Sequence, residues 1–118
     1  MSFCQSFPPS VDQHARILCL GSMPGEESLR QQQYYAFQHN AFWRLTGKIF
    51  AFDPAAPYPQ RLAALLAQGV ALWDVLACCE RSGSLDGNIR RPRPNDIPGL
   101  LQSFPGIEKI CCNGSTAG

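Results

Sequence analysis

The sequence predicts an α/β fold, a three-layer α/β/α sandwich around a short central parallel sheet, built as a single domain over residues 1–118. Three observations predict it. Unbroken apolar runs, rather than alternating ones, occupy residues 15–20, 70–75 and 107–112, as expected of strands buried on both faces. Segments with helical apolar spacing lie between them, and a strand that returns beside its predecessor through a helix runs parallel to it. The length of 118 residues with 45% apolar composition suits one core.

In chain order, ARILCL at 15–20 stops at Gly21, where the backbone turns. Residues 40–50, NAFWRLTGKIF, place Phe42, Trp43, Leu45 and Ile49 at near-helical spacing, with Asn40 as a cap. The strongest helix is PQRLAALLAQ at 59–68, opened by proline and closed by Gly69. VALWDV at 70–75 is the second strand and NDIPGLLQSF at 95–104 the third helix, capped by Asn95 or Asp96. IEKICC at 107–112 is the third strand, and 82–94 reads as a long polar loop bearing proline and glycine. The three strands end at residues 21–25, at Trp73-Asp74 and at Asn113-Gly114, and ligands of such sheets bind beyond these carboxyl ends.

Several classes drop out. No stretch approaches the roughly 20 apolar residues a bilayer span requires, and residues 1–10 lack a secretory pattern, so a cytoplasmic protein with no membrane partner is expected. A net charge of +1 gives no global basic field, so a nucleic acid would be held by local patches and backbone donors. Cys19 and the Cys111-Cys112 pair read as small apolar residues of buried strands. Adjacent cysteines on a strand point opposite ways and no CxxC occurs, so neither a metal nor an iron–sulfur centre is expected. The Gly21 and Gly25 spacing, with Pro24 between, is not the GxGxxG of a dinucleotide site.

The stretches FPPSVD (7–12), ARILCLGSMPG (15–25), Tyr34-Tyr35-Ala36 and Asn40-Ala41-Phe42-Trp43 together resemble the uracil-DNA glycosylase superfamily, and within it the hypoxanthine-DNA (deoxyinosine) glycosylase branch. The likeness continues through ALWDVL (71–76), Cys79-Glu80-Arg81, GSLD (83–86), Pro94-Asn95-Asp96 and Asn113-Gly114, so it spans nearly the whole chain. It implies a DNA partner carrying a deaminated base, hypoxanthine before uracil, and no cofactor. The base is flipped into a pocket at a cost of a few kcal/mol and its N-glycosidic bond is hydrolysed.

The resemblance also assigns site residues. Tyr35 is the platform under the extruded base, with Tyr34 either its partner or a packing residue. Gly21, Ser22, Met23, Pro24 and Gly25 line the pocket with backbone amides. Many relatives carry Asp or Asn where this chain has Met23; the deoxyinosine branch is similar in lacking it, and the resemblance implies that Asn40 of the Asn-x-Phe-Trp motif holds water in line with the sugar carbon, unless it only caps its helix. Asn113 reads the base edge or forms an Asn-Gly turn, and Arg90, Arg91 and Arg93 contact phosphates or are simply solvated. The only lysines, Lys48 and Lys109, lie outside the motifs, so a monofunctional hydrolase is implied.

Two departures stand out. Phe37-Gln38-His39 stands where the family has a His-Pro pair before Asn40, and the family's last strand and second Ser/Thr-Ser-Pro loop would be expected after Asn113-Gly114, where the sequence runs only to Gly118. A truncated domain is therefore expected, with residues 107–112 as a sheet edge open to self-association. Two other classes remain: a catalytically silent nucleic-acid-binding module of the same fold, and a small-molecule binder using the 21–25 turn.

Overall fold

A computed structural model of the chain describes residues 2–113. In order it contains β1 (Ser2–Gln5), β2 (Ile17–Gly21), α1 (Glu26–Gln31), α2 (Phe42–Phe50), α3 (Tyr58–Ala67), β3 (Val70–Asp74) and β4 (Leu76–Arg81). A 3-10 turn at Asp86–Asn88 leads into β5 (Arg90–Pro94), α4 (Ile97–Ser103) and β6 (Lys109–Cys112). The central sheet is parallel, in the order β3-β2-β6, with Ile17 opposite both Val70 and Lys109. A second, antiparallel sheet has the order β1-β4-β5.

Alternation along the parallel strands sends side chains to both faces. Val70 and Leu72 pack with Trp43 of α2 and Leu65 of α3, while Leu18, Leu20 and Ala71 pack with Leu100 of α4. The sheet is thus sandwiched between helices, as the sequence predicts. No helix among the described residues is long and apolar enough to cross a membrane.

Local chemistry sets the helix ends. Pro59 sits in the first turn of α3, and Gly69 ends that helix at φ +78°, a conformation glycine adopts without penalty. The Asp96 carboxylate caps α4 by accepting the Gly99 N–H at 3.0 Å. Helix α2 begins one residue later than a cap at Asn40 predicts, with Ala41 at the cap position. Asn40 still serves its start, because its Oδ1 accepts the Phe42 N–H at 2.8 Å from just outside the first turn.

Four elements depart from the sequence reading. β1 and α1 lie in stretches with no assigned element, β4 follows β3 after a single residue, and part of the expected 82–94 loop is strand β5. A further correction concerns the cysteines of β6. Cys111 and Cys112 are exposed, not buried, because β6 is flanked by β2 alone among the described residues.

This layering fixes where truncation is felt. Leu18 is fully buried between β2 and α4, whereas Ile49 on α2 is 71% exposed. Leu18→Ala should cost about 2–5 kcal/mol of unfolding free energy, and Ile49→Ala less than about 0.5 kcal/mol, in denaturant melts followed by circular dichroism.

Candidate active site

The carboxyl ends of the three parallel strands meet at one place. Gly21 is paired with Asp74, Leu20 with Cys112, and the Asn113 N–H donates to Leu20 O at 2.7 Å. Beyond them opens a cleft of about 380 Å³, within the range of small-ligand sites. The 21–25 turn, Tyr34, Tyr35, Asn40 and Asn113 all line it, so nine of the twelve residues singled out in the sequence share one cavity.

The turn is held from below. Gly21 O accepts the Val75 N–H at 2.8 Å and Ser22 O the Leu76 N–H at 3.1 Å, which ties the turn to the β3–β4 junction. A Cβ at position 21 would stand 2.5 Å from Asp74 Oδ1, so only glycine fits there. The buried Arg81 side chain of β4 donates through Nη2 to Pro24 O. Met23 packs with Cys4, Leu76 and Cys79, which gives this residue a role in the core. On the far side, Ser84 Oγ accepts the Glu26 N–H at 2.8 Å.

The tyrosines divide the work. Tyr34 is buried in the core: its hydroxyl donates to Pro8 O at 3.0 Å and its carbonyl accepts the Trp43 indole N–H at 2.8 Å. Tyr35 takes φ +55°, a left-handed backbone unusual for an aromatic residue. Its neighbour Ala36 is fixed by donation from its N–H to Ser28 Oγ at 3.0 Å. One face of the Tyr35 ring is covered by Phe42, with ring centroids 3.9 Å apart and planes at 23°. Burial pushes the Tyr35 phenol up to about 12; the adjacent Asn113 side chain opposes the rise and the Asp74 carboxylate adds to it. Burial likewise raises Tyr34 and Tyr58, with smaller upward pushes from Asp74.

Asn40 is exposed at the rim. The turn before it is closed by the Asn40 N–H donating to Phe37 O at 2.9 Å. Sequence reasoning placed Asp74 at a strand end but did not single it out for the site. It is 4% exposed and lines the cleft, and its backbone carbonyl is held by Asn95 Nδ2 at 2.8 Å. Phe37 and Ser84 also reach the cleft and were likewise missed. Arg90, Arg91 and Arg93 do not line it. They lie on the exposed strand β5, where Arg91 pairs with Glu80 at 3.0 Å and Arg90 donates to Gly87 O and Ile89 O.

A sequence profile of the uracil DNA glycosylase superfamily matches residues 8–118. The chain belongs to that superfamily. It is 39% identical over 115 residues to a protein of Methanosarcina acetivorans named hypoxanthine DNA glycosylase, covering 97% of this chain and 73% of the relative. A Methanosarcina barkeri protein of the same name is 38% identical with the same coverage. A solution NMR structure of a protein from Methanosarcina acetivorans superposes with a TM-score of 0.89 at 38% identity, covering 99% of this chain and 73% of that one. The family's fold is therefore the fold of this chain.

Two outcomes follow from the packing. All three tyrosines are held above their ordinary value of 10. A phenol whose folded pKa is raised stabilises the fold fully below the unfolded value, and that contribution is lost as pH rises through the folded pKa. Absorbance at 295 nm at pH 10 should show less tyrosinate in the folded than in the unfolded protein, and thermal stability should fall as pH rises from about 10 to 12. Gly21→Ala should destabilise by about 1–3 kcal/mol through the collision with Asp74, measured by thermal melting, and Gly21→Ala/Asp74→Ala should recover part of the loss.

Proposed function

We propose that this chain is a monofunctional DNA N-glycosylase that flips a deaminated base, hypoxanthine in preference to uracil, into the cleft and hydrolyses its N-glycosidic bond. One observation carries the reading: the Tyr35 ring, backed by Phe42, and the Asn40 carboxamide line the same cavity at the strand ends. The names of the relatives support the substrate.

The chemistry follows from the groups available. An extruded purine stacks on Tyr35, a contact worth roughly 1–3 kcal/mol. Asn40 Oδ1 spends one lone pair on the Phe42 N–H, and its second holds a water facing the sugar C1′. An amide cannot take a proton at neutral pH, so its contribution is position and dipole as the sugar becomes cationic. Asp74 and Asn113 face the base edge. Hypoxanthine presents an N1–H donor where adenine presents a lone pair, and a carboxylate accepts from the first and repels the second. The amides of the 21–25 turn close the pocket, while Arg90, Arg91 and Arg93 on the second sheet take phosphates outside it. Neither lysine lines the cleft, which favours hydrolysis by water over a Schiff base.

Excision from oligonucleotides bearing deoxyinosine, uracil or xanthine tests the proposal. Asn40→Ala should lower single-turnover excision by about 100-fold or more while duplex binding in a salt titration is retained. Binding without cleavage by the unaltered protein would favour the silent module, and no salt-sensitive binding would favour a small-molecule site. Asp74→Asn, which adds a donor, should narrow the preference for hypoxanthine over adenine by about tenfold or more, read as the ratio of the two excision rates.

A further inference from the structure

Two cysteine pairs face each other across strands. Cys4 lies opposite Cys79 in the antiparallel sheet, and Cys19 opposite Cys111 in the parallel one. Cys4 and Cys79 are buried in a cluster with Met23 and Leu76, which leaves little of either open to solvent. The second pair differs, because Cys19 is half-buried and Cys111 is exposed. Both line a cavity between α2 and β6, walled by Phe42, Leu45 and Thr46. Burial pushes the Cys19 thiol up to about 11, and the Cys111 thiol beside it, in hydrogen-bonding contact, adds to the rise. Cys112 follows Cys111 on the strand and so takes the opposite face of β6. Adjacent strands lie about 4.7–4.9 Å apart, and disulfide-linked residues have Cα atoms about 4.4–6.8 Å apart. The pairing of β2 with β6 therefore already sets the backbone spacing a disulfide needs.

We propose that Cys19 and Cys111 are an oxidative modification site, which a peroxide converts to a disulfide that latches β6 to β2. The exposed Cys111 thiolate attacks hydrogen peroxide and the O–O bond breaks; one oxygen stays on sulfur as a sulfenic acid, and the other leaves as water after taking up a proton. The Cys19 sulfur then displaces the sulfenic oxygen, which departs with the Cys19 proton as a second water, and the S–S bond forms. Two thiols are oxidised by two electrons in all, and one peroxide is reduced to two waters. A dithiol restores both thiols by exchange. What the latch holds gives it meaning. Among the described residues β6 is paired with β2 alone, and that pairing ends with the Asn113 N–H donating to Leu20 O at 2.7 Å. Asn113, two residues beyond Cys111, lines the cleft, so the closed latch ties its strand to the one that carries the 21–25 turn. The inference goes beyond the proposed function and does not depend on it, since the bond forms without DNA.

The test treats the full chain, unaltered or as Cys111→Ser or Cys112→Ser, with a small excess of hydrogen peroxide. Free thiols are then alkylated under denaturing conditions, and unreduced peptides are mapped by mass spectrometry. A link between Cys19 and Cys111 should appear in the unaltered protein and in Cys112→Ser, with Cys4 and Cys79 recovered as alkylated thiols. Cys111→Ser should show no link to Cys19. In the oxidised unaltered protein the β6 amides should exchange with deuterium about tenfold or more slowly, and dithiothreitol should restore the original rate. Four results would overturn the latch: a Cys111 oxyacid with no link, a Cys111–Cys112 link, a link between two copies of the chain, or a Cys19–Cys111 link that leaves β6 exchange unchanged. Each is read without any excision assay, so the glycosylase reading stands or falls separately.

Discussion

The close approach of Gly21 to Asp74 is the constraint on which the rest of the site depends. Parallel pairing places these residues opposite one another at the ends of β2 and β3, and the Asp74 carboxylate fills the space a side chain at position 21 would need. A side chain at position 21 would have to displace that carboxylate. The carbonyls of Gly21 and Ser22 then fasten the turn to the start of β4. Asp74 is in consequence buried yet still lines the cleft, a position where charge acts strongly because little water screens it. Its field is one reason the neighbouring phenols resist ionisation, after burial itself.

Around that fixed corner the aromatic residues form a second rigid unit. Phe7 meets Tyr34 edge-on at 5.1 Å, Tyr34 carries the Trp43 indole on its carbonyl, and Tyr35 lies flat on Phe42. The left-handed backbone at Tyr35 costs about 1–3 kcal/mol, and its ring both packs against the core and lines the cavity. Buried Arg81 extends the rigidity to the other side, since its hydrogen bond to Pro24 links the turn to the second sheet. The cavity is thus framed by groups whose geometry is set before any ligand arrives, the condition under which positioning alone can lower a barrier.

How much of this was legible depended on the kind of signal each element carries. The three parallel strands and three longer helices follow from apolar runs and periodicity, and their ends from Gly69 and Asp96. α1 was illegible because it is short and buries only Ser28, which leaves no apolar period to detect. β4 was hidden because it continues the apolar run of β3 with one residue between. β5, RRPRP, reads as a loop, yet an exposed edge strand tolerates proline where an interior one does not. The burial of Cys111 and Cys112 was misjudged because an apolar run shows that a strand suits an interior, not that both its faces are covered. In the site, the strand-end rule and the family likeness found the turn, the tyrosines and both asparagines. Asp74 escaped because neither signal distinguishes a carboxylate that caps a strand from one that lines a cavity.

The hydrogen bond between Asn40 Oδ1 and the Phe42 N–H joins two processes that are usually separate. Helix termini fray readily, and the first turn of α2 has no other side-chain cap. In the proposed reading, each opening of that turn releases the carboxamide that orients water. Catalytic competence would then track the integrity of a single helical turn, and warming would silence the enzyme well before its sheet came apart.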